Sequence, residues 1–583
     1  MHKRWIIKTA PSTVEMEALA SAINVSMPVA SLLIKRGVTD FEEARIFFRP
    51  DLAHLHDPML MKGMDAAVFR IMQAIQHHQK ILFFGDYDVD GTTAVAMMIS
   101  FFRDELKYDS IGYYVPDRYT EGYGVSIQGI DYAFLHGFHL IVSLDCGIKS
   151  YDKVAYAAEK GIDFIICDHH LPDENLPKAI AILNPKQSDC QYPYKELSGC
   201  GVGFKLIQAL ASQLRLNPHR MFTYLDLVAV STCSDIVPIT GENRILVYHG
   251  LQLINQNPRP GIKAIRQFAS LEREFTVEDV VFIIGPRINA AGRIQHGEGA
   301  VKLLLSLPGD SEIPHMLQQL NDNNTVRREL DKKITEHALQ MIQENELFQQ
   351  SSSHVLFHPD WHKGVVGIVA SRIIEHHYKP TIILTESNGK ASGSARSVKG
   401  FDVHAAIEAC AYLLENYGGH MHAAGVTLPL ENVESFRQRF DQVVNETWPA
   451  ELRIPEIEID EEITLEQITP NFFKVISQFA PFGPGNMDPV FLIRHLKANQ
   501  WTRIVGENHL KMFVFHPNQP EIIFGAIAFK QARHFQRIAA GAEFHLVCNL
   551  RQNVWNGKTS IELDVKDICF DDLYDLSHKE VSS

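Results

Sequence analysis

Ile81-Leu82-Phe83-Phe84-Gly85-Asp86-Tyr87-Asp88-Val89-Asp90-Gly91 decides the fold of this 583-residue chain. An apolar, strand-like run passes directly into a cluster of acids, and the pattern recurs. Leu140-Ile141-Val142-Ser143-Leu144 ends in Asp145-Cys146-Gly147, and Phe164-Ile165-Ile166-Cys167 ends in Asp168-His169-His170. Asp235 follows the apolar stretch 225–230 and is read as closing a fourth strand-like segment. In a parallel sheet the carboxyl ends of the strands line one edge, where ligands bind. Acids far apart in the chain are therefore expected to meet in one crevice.

Unpaired carboxylates brought together repel and raise one another's pKa. A divalent cation removes the conflict. Carboxylates suit hard ions such as Mg²⁺ or Mn²⁺, and an imidazole tilts the choice toward Mn²⁺. Two such ions clamp the attacking and leaving oxygens in phosphoryl hydrolysis. A single aspartate after a strand reads equally well as a helix N-cap. Four acids closing four segments favour the metal.

Working outward, 92–102 reads as a helix, and 111–115 and Ala181–Leu183 as further strands. Alternating strand and helix predicts an α/β fold with a parallel sheet. Within 324–345, Val326, Leu330, Ile334, Ala338 and Ile342 stand four residues apart, predicting one face of a long amphipathic helix that bridges two lobes. A second α/β segment runs from Val355 to about residue 448, and short strands near 512–515, 522–526 and 543–550 predict a β-rich end. Residues 1–60 read as a small helical lead-in.

Composition excludes other classes. No apolar run approaches a membrane span, and the first eight residues lack the apolar core of a secretory signal. The eight cysteines form no Cys-X-X-Cys pair. Cys146, Cys167 and Cys233 lie on or beside the acid-bearing segments, which suits reduced, buried thiols in the cytoplasm. A net charge of −15 argues against a broadly basic nucleic-acid surface, so any DNA track is expected to be a local basic groove.

The ordered motifs resemble the DHH phosphoesterase superfamily, and within it the bacterial single-strand-specific 5′→3′ DNA exonucleases. The set comprises the Gly85–Gly91, Asp145–Gly147 and Asp168–His170 motifs above, then Gly285-Pro286-Arg287-Ile288-Asn289-Ala290-Ala291-Gly292-Arg293 and Trp361-His362-Lys363-Gly364-Val365-Val366-Gly367. Gly393-Ser394-Ala395-Arg396-Ser397, Gly418-Gly419-His420 and Ala480-Pro481-Phe482-Gly483-Pro484-Gly485-Asn486 complete it. The resemblance implies a DHH phosphoesterase domain at 61–308, a linking helix at 309–350, a second α/β domain of the DHHA1 type at 351–450, and a β-barrel OB-fold at 451–575.

The resemblance also implies an activity: metal-dependent hydrolysis of single-stranded DNA from its 5′ end, releasing 5′-mononucleotides, in recombination and repair. Two divalent ions, Mn²⁺ or Mg²⁺, would be its cofactors. A single-strand-binding protein and a RecQ-like helicase would be its partners, with no membrane involved. It puts Asp90, Asp145, His169 and Asp235 on one ion, Asp88 and the bridging Asp145 on the other, and leaves Asp86 as a ligand or an acceptor behind one. Asp168 is expected to orient His169. His170 and His420 are expected at the scissile phosphate, and Arg118, Ser394 and Arg396 on the 5′-phosphate, with Gly419 letting a phosphate approach the backbone. Arg287, Asn289 and Arg293, in a loop after Gly285-Pro286, are candidates for the nucleic-acid track, while Arg327 and Arg328 read as solvated charges. In the terminal domain Lys511, Phe513, Phe515, Phe524, Lys530, Arg533 and Trp555 mix bases with aromatics. Ser231-Thr232-Cys233-Ser234, before Asp235, is more polar than the family pattern leads one to expect. A phosphodiesterase for short oligonucleotides, cyclic dinucleotides or pyrophosphate, and an inactive DNA-binding scaffold, are the other readings. The chain length speaks against the first and the intact acids against the second.

Overall fold

The computed structural model describes residues 3–555 and 557–570, without the side chain of Trp555. It divides into two compact units, one holding 56–235 and 249–455, the other 4–55, 236–248 and the chain from Glu456 onward.

The first unit is built on a five-stranded parallel sheet. Its strands are β1 (Lys80–Gly85), β2 (Ile111–Tyr114), β3 (Phe138–Leu144), β4 (Asp163–Cys167) and β5 (Ala181–Leu183), in the order β2-β1-β3-β4-β5. Ile81, Leu82, Phe83 and Phe84 are all fully buried, because a central strand covered on both faces has no solvent side to alternate toward. Strand register then aligns the acids. Gly85 pairs with Leu144 and Leu144 with Cys167, so the three next residues, Asp86, Asp145 and Asp168, leave the sheet side by side.

Four helices of this unit bear on the site: α1 (Val89–Ser100), α2 (Gly199–Gln213), α3 (Leu225–Ser234) and α4 (Gly285–Ile294). The segment before Asp235 is thus a helix, not a strand. A buried apolar run carries no period that separates the two. Pro286 does not open a loop either; it lies within a continuous helical run, directly after a π turn (Val280–Ile284) that widens the helix just before α4.

Helix α5 (Ile313–Glu344) runs 32 residues, starting before the periodic stretch 324–345 and within the 309–350 that the resemblance implies. Ile334, Ala338 and Ile342 pack on Val365, Val366, Val369 and Ile373, whereas Val326 is 42% exposed. Four-residue spacing overshoots the helical turn by about 40° per step, so Val326 stands about 160° around the helix from Ile342. After α5 comes a mixed sheet of β6 (His354–Phe357), β7 (Thr381–Ser387), β8 (Lys390–Arg396), β9 (Asn416–His420) and β10 (Ala423–Pro429), in the order β9-β10-β8-β7-β6. Helix α6 (Val366–His377) lies against β7 and β8.

The second unit is a barrel of β11 (Phe491–Ala498), β12 (His509–His516), β13 (Gln519–Ala528), β14 (Phe544–Trp555) and β15 (Lys558–Cys569), closed by pairing of β11 with β12. Its core includes Leu510, Met512 and Val514, together with Leu19, Val29 and Leu33 from the N-terminal helices. On β12 the alternation turns Lys511, Phe513 and Phe515 away from the core. Lys511 is paired with Glu562, while Phe524 packs against the core. Lys530 and Arg533 are exposed. The Ala480–Asn486 motif is bound by the buried Arg244, which donates to the carbonyls of Phe479 (2.7 Å), Ala480 (3.0 Å) and Phe47 (3.0 Å). Among the described residues no single helix is long and apolar enough to cross a membrane, and all eight cysteines are free thiols.

Candidate metal and phosphate site

At the carboxyl edge of the parallel sheet, His169 Nε2 lies 3.2 Å from Asp145 Oδ1, 3.5 Å from Asp235 Oδ2 and 3.7 Å from Asp90 Oδ2. Asp145 holds φ at +62°, a left-handed conformation uncommon for a residue with a side chain and often found at functional sites. Gly199, the first residue of α2, is required by this approach: a Cβ there would sit 2.6 Å from that of Asp145. Asp88 caps α1 by accepting from the Gly91 amide at 3.1 Å, so the N-cap reading is correct for this residue without removing its carboxylate from the cluster. Asp86 Oδ1 accepts from the Gly124 amide at 3.2 Å.

Several buried atoms here lack hydrogen-bond partners: Asp86 Oδ2, Asp145 Oδ1 and both ring nitrogens of His169. Burial, then the charge of Asp88, pushes Asp86 well above the usual carboxylate range. Burial and the charges of Asp90, Asp88 and Asp235 do the same to Asp145. Burial, Asp90 and Asp88 raise Asp235, and burial and Asp90 raise Asp88. Burial lowers His169 and keeps it neutral. Orphaned oxygens, a neutral imidazole and mutually repelling acids are the donor set that a hard divalent cation completes.

Asp168 behaves differently from expectation. Its Oδ1 accepts from the His169 amide (2.7 Å), the His170 amide (3.1 Å) and His170 Nδ1 (2.7 Å), and its Oδ2 accepts from the Ile148 amide (2.9 Å). It therefore orients the ring of His170, not that of His169, whose Nδ1 has no partner. Burial works against the His170 cation, but the hydrogen bond and charge of Asp168 raise its pKa to about 9. Tyr123, which sequence reasoning passed over, places its hydroxyl 3.4 Å from His170 Nε2 and 3.5 Å from the Asp145 carbonyl. Its only sequence signal is its place in the glycine-flanked stretch after Arg118.

A cationic group stands beside the acids. The Arg118 guanidinium lies 4.9 Å from the Tyr87 ring centre. Arg396 Nη1 donates to Ser394 Oγ (2.6 Å) and the Ala395 carbonyl (2.8 Å), and Arg293 Nη1 to the Gly364 carbonyl (3.2 Å). None of these three arginines pairs with a carboxylate among the described residues. Burial, followed by the charges of Arg118, Arg396 and Arg327, depresses Arg293 to about 10. Burial and Arg118 lower Arg396, and burial and Arg118 also lower Lys363, a second residue that sequence reasoning left without a role. Arg396 and Ser394 pack on the first turn of α6, where Gly367 leaves room: a Cβ there would lie 2.8 Å from Arg396 Nη2. Half-buried cations without counter-charges favour an anionic ligand.

His420 is exposed at the end of β9, and its pKa is lowered by burial of part of the ring and by His422, His170 and Arg396, which places it by the same group. Gly419, at φ +146°, admits no side chain because a Cβ would lie 2.3 Å from the Ala423 carbonyl oxygen. Two residues of the expected nucleic-acid track are bonded internally instead. Arg287 Nε donates to Asn321 Oδ1 of α5 (2.7 Å), and Asn289 Oδ1 accepts from the Val89 amide at the start of α1 (3.2 Å). Arg327 is not a solvated charge: its side chain is 14% exposed and Nη2 donates to Asn324 Oδ1 (3.1 Å).

Comparison with known proteins gives the same arrangement of parts. Residues 80–232 match the DHH family N-terminal domain, 350–446 the DHHA1 domain and 459–567 the RecJ OB domain. Over 583 residues the chain is 35% identical to the single-stranded-DNA-specific exonuclease RecJ of Bacillus subtilis, covering 99% of this chain and 72% of the relative. Over 527 residues it is 34% identical to the RecJ of Salmonella typhimurium, covering 87% of this chain and 90% of the relative. Its fold matches the crystal structure of RecJ from Thermus thermophilus in complex with Mn²⁺, with a TM-score of 0.83 and 27% identity, covering 97% of this chain and 79% of that one. The Mg²⁺ complex matches with a TM-score of 0.77 and 26% identity, covering 97% and 78%.

Proposed function

Because the chain belongs to the family of RecJ single-stranded-DNA-specific exonucleases, we propose a division of labour among its residues for that activity. The protein is a metal-dependent nuclease that hydrolyses phosphodiester bonds of single-stranded DNA. Our reading adds that it works from the 5′ end and releases mononucleotides. One juxtaposition carries the proposal: a buried carboxylate–imidazole cluster with orphaned oxygens, beside arginines without counter-charges.

Asp88, Asp90, Asp145, His169 and Asp235 would hold two Mn²⁺ or Mg²⁺ ions, with Asp86 behind them. Bound there, such ions supply hydroxide at neutral pH and offset charge on the scissile phosphate. The chain's own residues do the rest. Arg118 and Arg396, with Ser394 orienting the latter, bind the 5′-terminal phosphate and fix which linkage reaches the cluster. Asp168 holds Nδ1 of His170 and favours the charged ring, leaving Nε2, which Tyr123 Oη meets only at 3.4 Å, as the donor toward developing negative charge. His420 approaches the same position from β9. A strand freed by a helicase and kept open by a single-strand-binding protein is the substrate this activity requires. Free, reduced thiols support a cytoplasmic location.

The test is a 5′-phosphorylated single strand labelled at its 3′ end, incubated with Mn²⁺ or Mg²⁺ and, separately, with chelator. Metal-dependent shortening from the 5′ end, with the matching duplex spared, is the expected result. Loss from the 3′ end would overturn the direction, and cleavage of dinucleotides alone would overturn the long-strand substrate.

A further inference from the structure

Asp90 is 1% exposed and more heavily hydrogen-bonded than any other acid assigned to the metal ions. Its Oδ1 accepts from the Cys200 amide at 2.7 Å and from Ser231 Oγ at 2.6 Å. Its Oδ2 accepts from the Gly199 amide at 2.7 Å and lies 3.7 Å from His169 Nε2. An ionised carboxylate oxygen offers two lone pairs. Both of those on Oδ1 are occupied, while Oδ2 keeps one, on the side of the imidazole.

We propose that Ser231 is a positioning residue for Asp90: it reserves Oδ1 for the protein and leaves Oδ2 as the single oxygen Asp90 presents to a divalent cation. The inference rests on the metal-site reading above and deepens it. Ser231 is itself fully buried, and its Oγ lies 2.7 Å from Ser198 Oγ. Its hydroxyl proton serves one partner, and the carboxylate, which can only accept, takes it. Ser198 Oγ is in turn 3.4 Å from Thr232 Oγ1. Ser231 and Thr232, from the polar run before Asp235, thus join Ser198 in a hydroxyl network ending on Asp90.

Asp90 is not needed merely to cap α2. That helix has its N-cap in Ser198, whose side chain accepts from the Gly201 amide at 3.1 Å. The first two amides of α2 are directed at Asp90 in addition. With Ser231 removed, Oδ1 regains a lone pair, only the two amides of α2 restrain the carboxylate, and it can bind an ion through both oxygens.

The test is Mn²⁺ titration of the full chain, followed by electron paramagnetic resonance. Wild type is compared with Ser231→Ala and with Ser231→Cys, which keeps the volume but donates poorly. Expected are two sites in the wild type, one of them weakened about tenfold or more in both variants, with an altered Mn²⁺ line shape. The Mn²⁺ concentration for half-maximal activity should rise while kcat at saturating Mn²⁺ stays within about twofold. Unchanged affinities and line shape in a folded variant would overturn the role of Ser231 alone. Absence of Mn²⁺ binding by the wild type would overturn the metal-site reading with it. If Ser231→Ala fails to fold, Ser231→Cys decides by the same two readouts.

Discussion

Asp145 stands at φ +62° with one oxygen unpartnered and acids on several sides, so its charge is unfavourable unless a cation is present. Asp145→Asn should lower hydrolysis by more than about 100-fold, while the melting temperature in chelator stays level or rises, because a repelled buried charge is gone. A variant retaining a tenth of the activity would remove Asp145 from the metal site. Arg396→Ala should cut the preference for 5′-phosphorylated over 5′-hydroxyl strands by about tenfold or more, the worth of hydrogen bonds to a charged group. Equal preference before and after would sink its role in gripping the phosphate. At this scale the acids were legible in the sequence because each follows an apolar run. The partner of Asp168 was not, because which imidazole folds back onto a carboxylate depends on the backbone turn between them. The role of Ser231, whose polar stretch was noted, was not legible for a related reason: a serine declares its acceptor only once another helix is packed against it.

Among the elements, β6 carries a titratable group apart from the site. His354 is fully buried with both ring nitrogens unpartnered, and burial, with the charges of Lys379 and His377, pushes it down from its usual 6.5 to about 3. The folded state therefore keeps a neutral ring that the unfolded chain protonates. Its contribution to stability is complete above pH 6.5 and is lost as pH falls toward 3. Between pH 7.5 and pH 5 this amounts to about 2 kcal/mol, and His354→Leu should flatten that part of the acid limb in urea titrations. An unchanged acid limb would show that His354 takes up its proton equally in both states. The elements themselves were read well where a period existed, as in the strands of the barrel. Helix α3 was misread as a strand because its residues 225–233 are buried all round. The periodic reading of α5 began only at 324, because the stretch before it carries the polar run Asn321-Asp322-Asn323-Asn324, whereas the resemblance placed the linking helix from 309.

For the whole molecule, a net charge of −15 confines DNA binding to local cationic groups. With about three phosphate contacts on a single strand, the slope of log affinity against log salt should be near −2. Arg396→Ala should make it shallower by about 0.7. A slope steeper than about −5 would mean a longer basic track than the Arg118, Arg293 and Arg396 group. The sequence by itself determined the α/β class, a β-rich end and the acids that close the apolar runs, because hydrophobic period and the chemistry of each side chain are local properties of the chain; the barrel came from the resemblance of its motifs. Only the tertiary structure decided that Asp86, Asp145 and Asp168 leave neighbouring strands in register, that Arg287 and Asn289 are bonded internally while Arg118, Arg293 and Arg396 are left without counter-charges, and that Asp90 has one oxygen to offer. Those facts depend on which surfaces pack together, and hydrogen-bond partners far apart in the chain are set by packing rather than by any pattern along it.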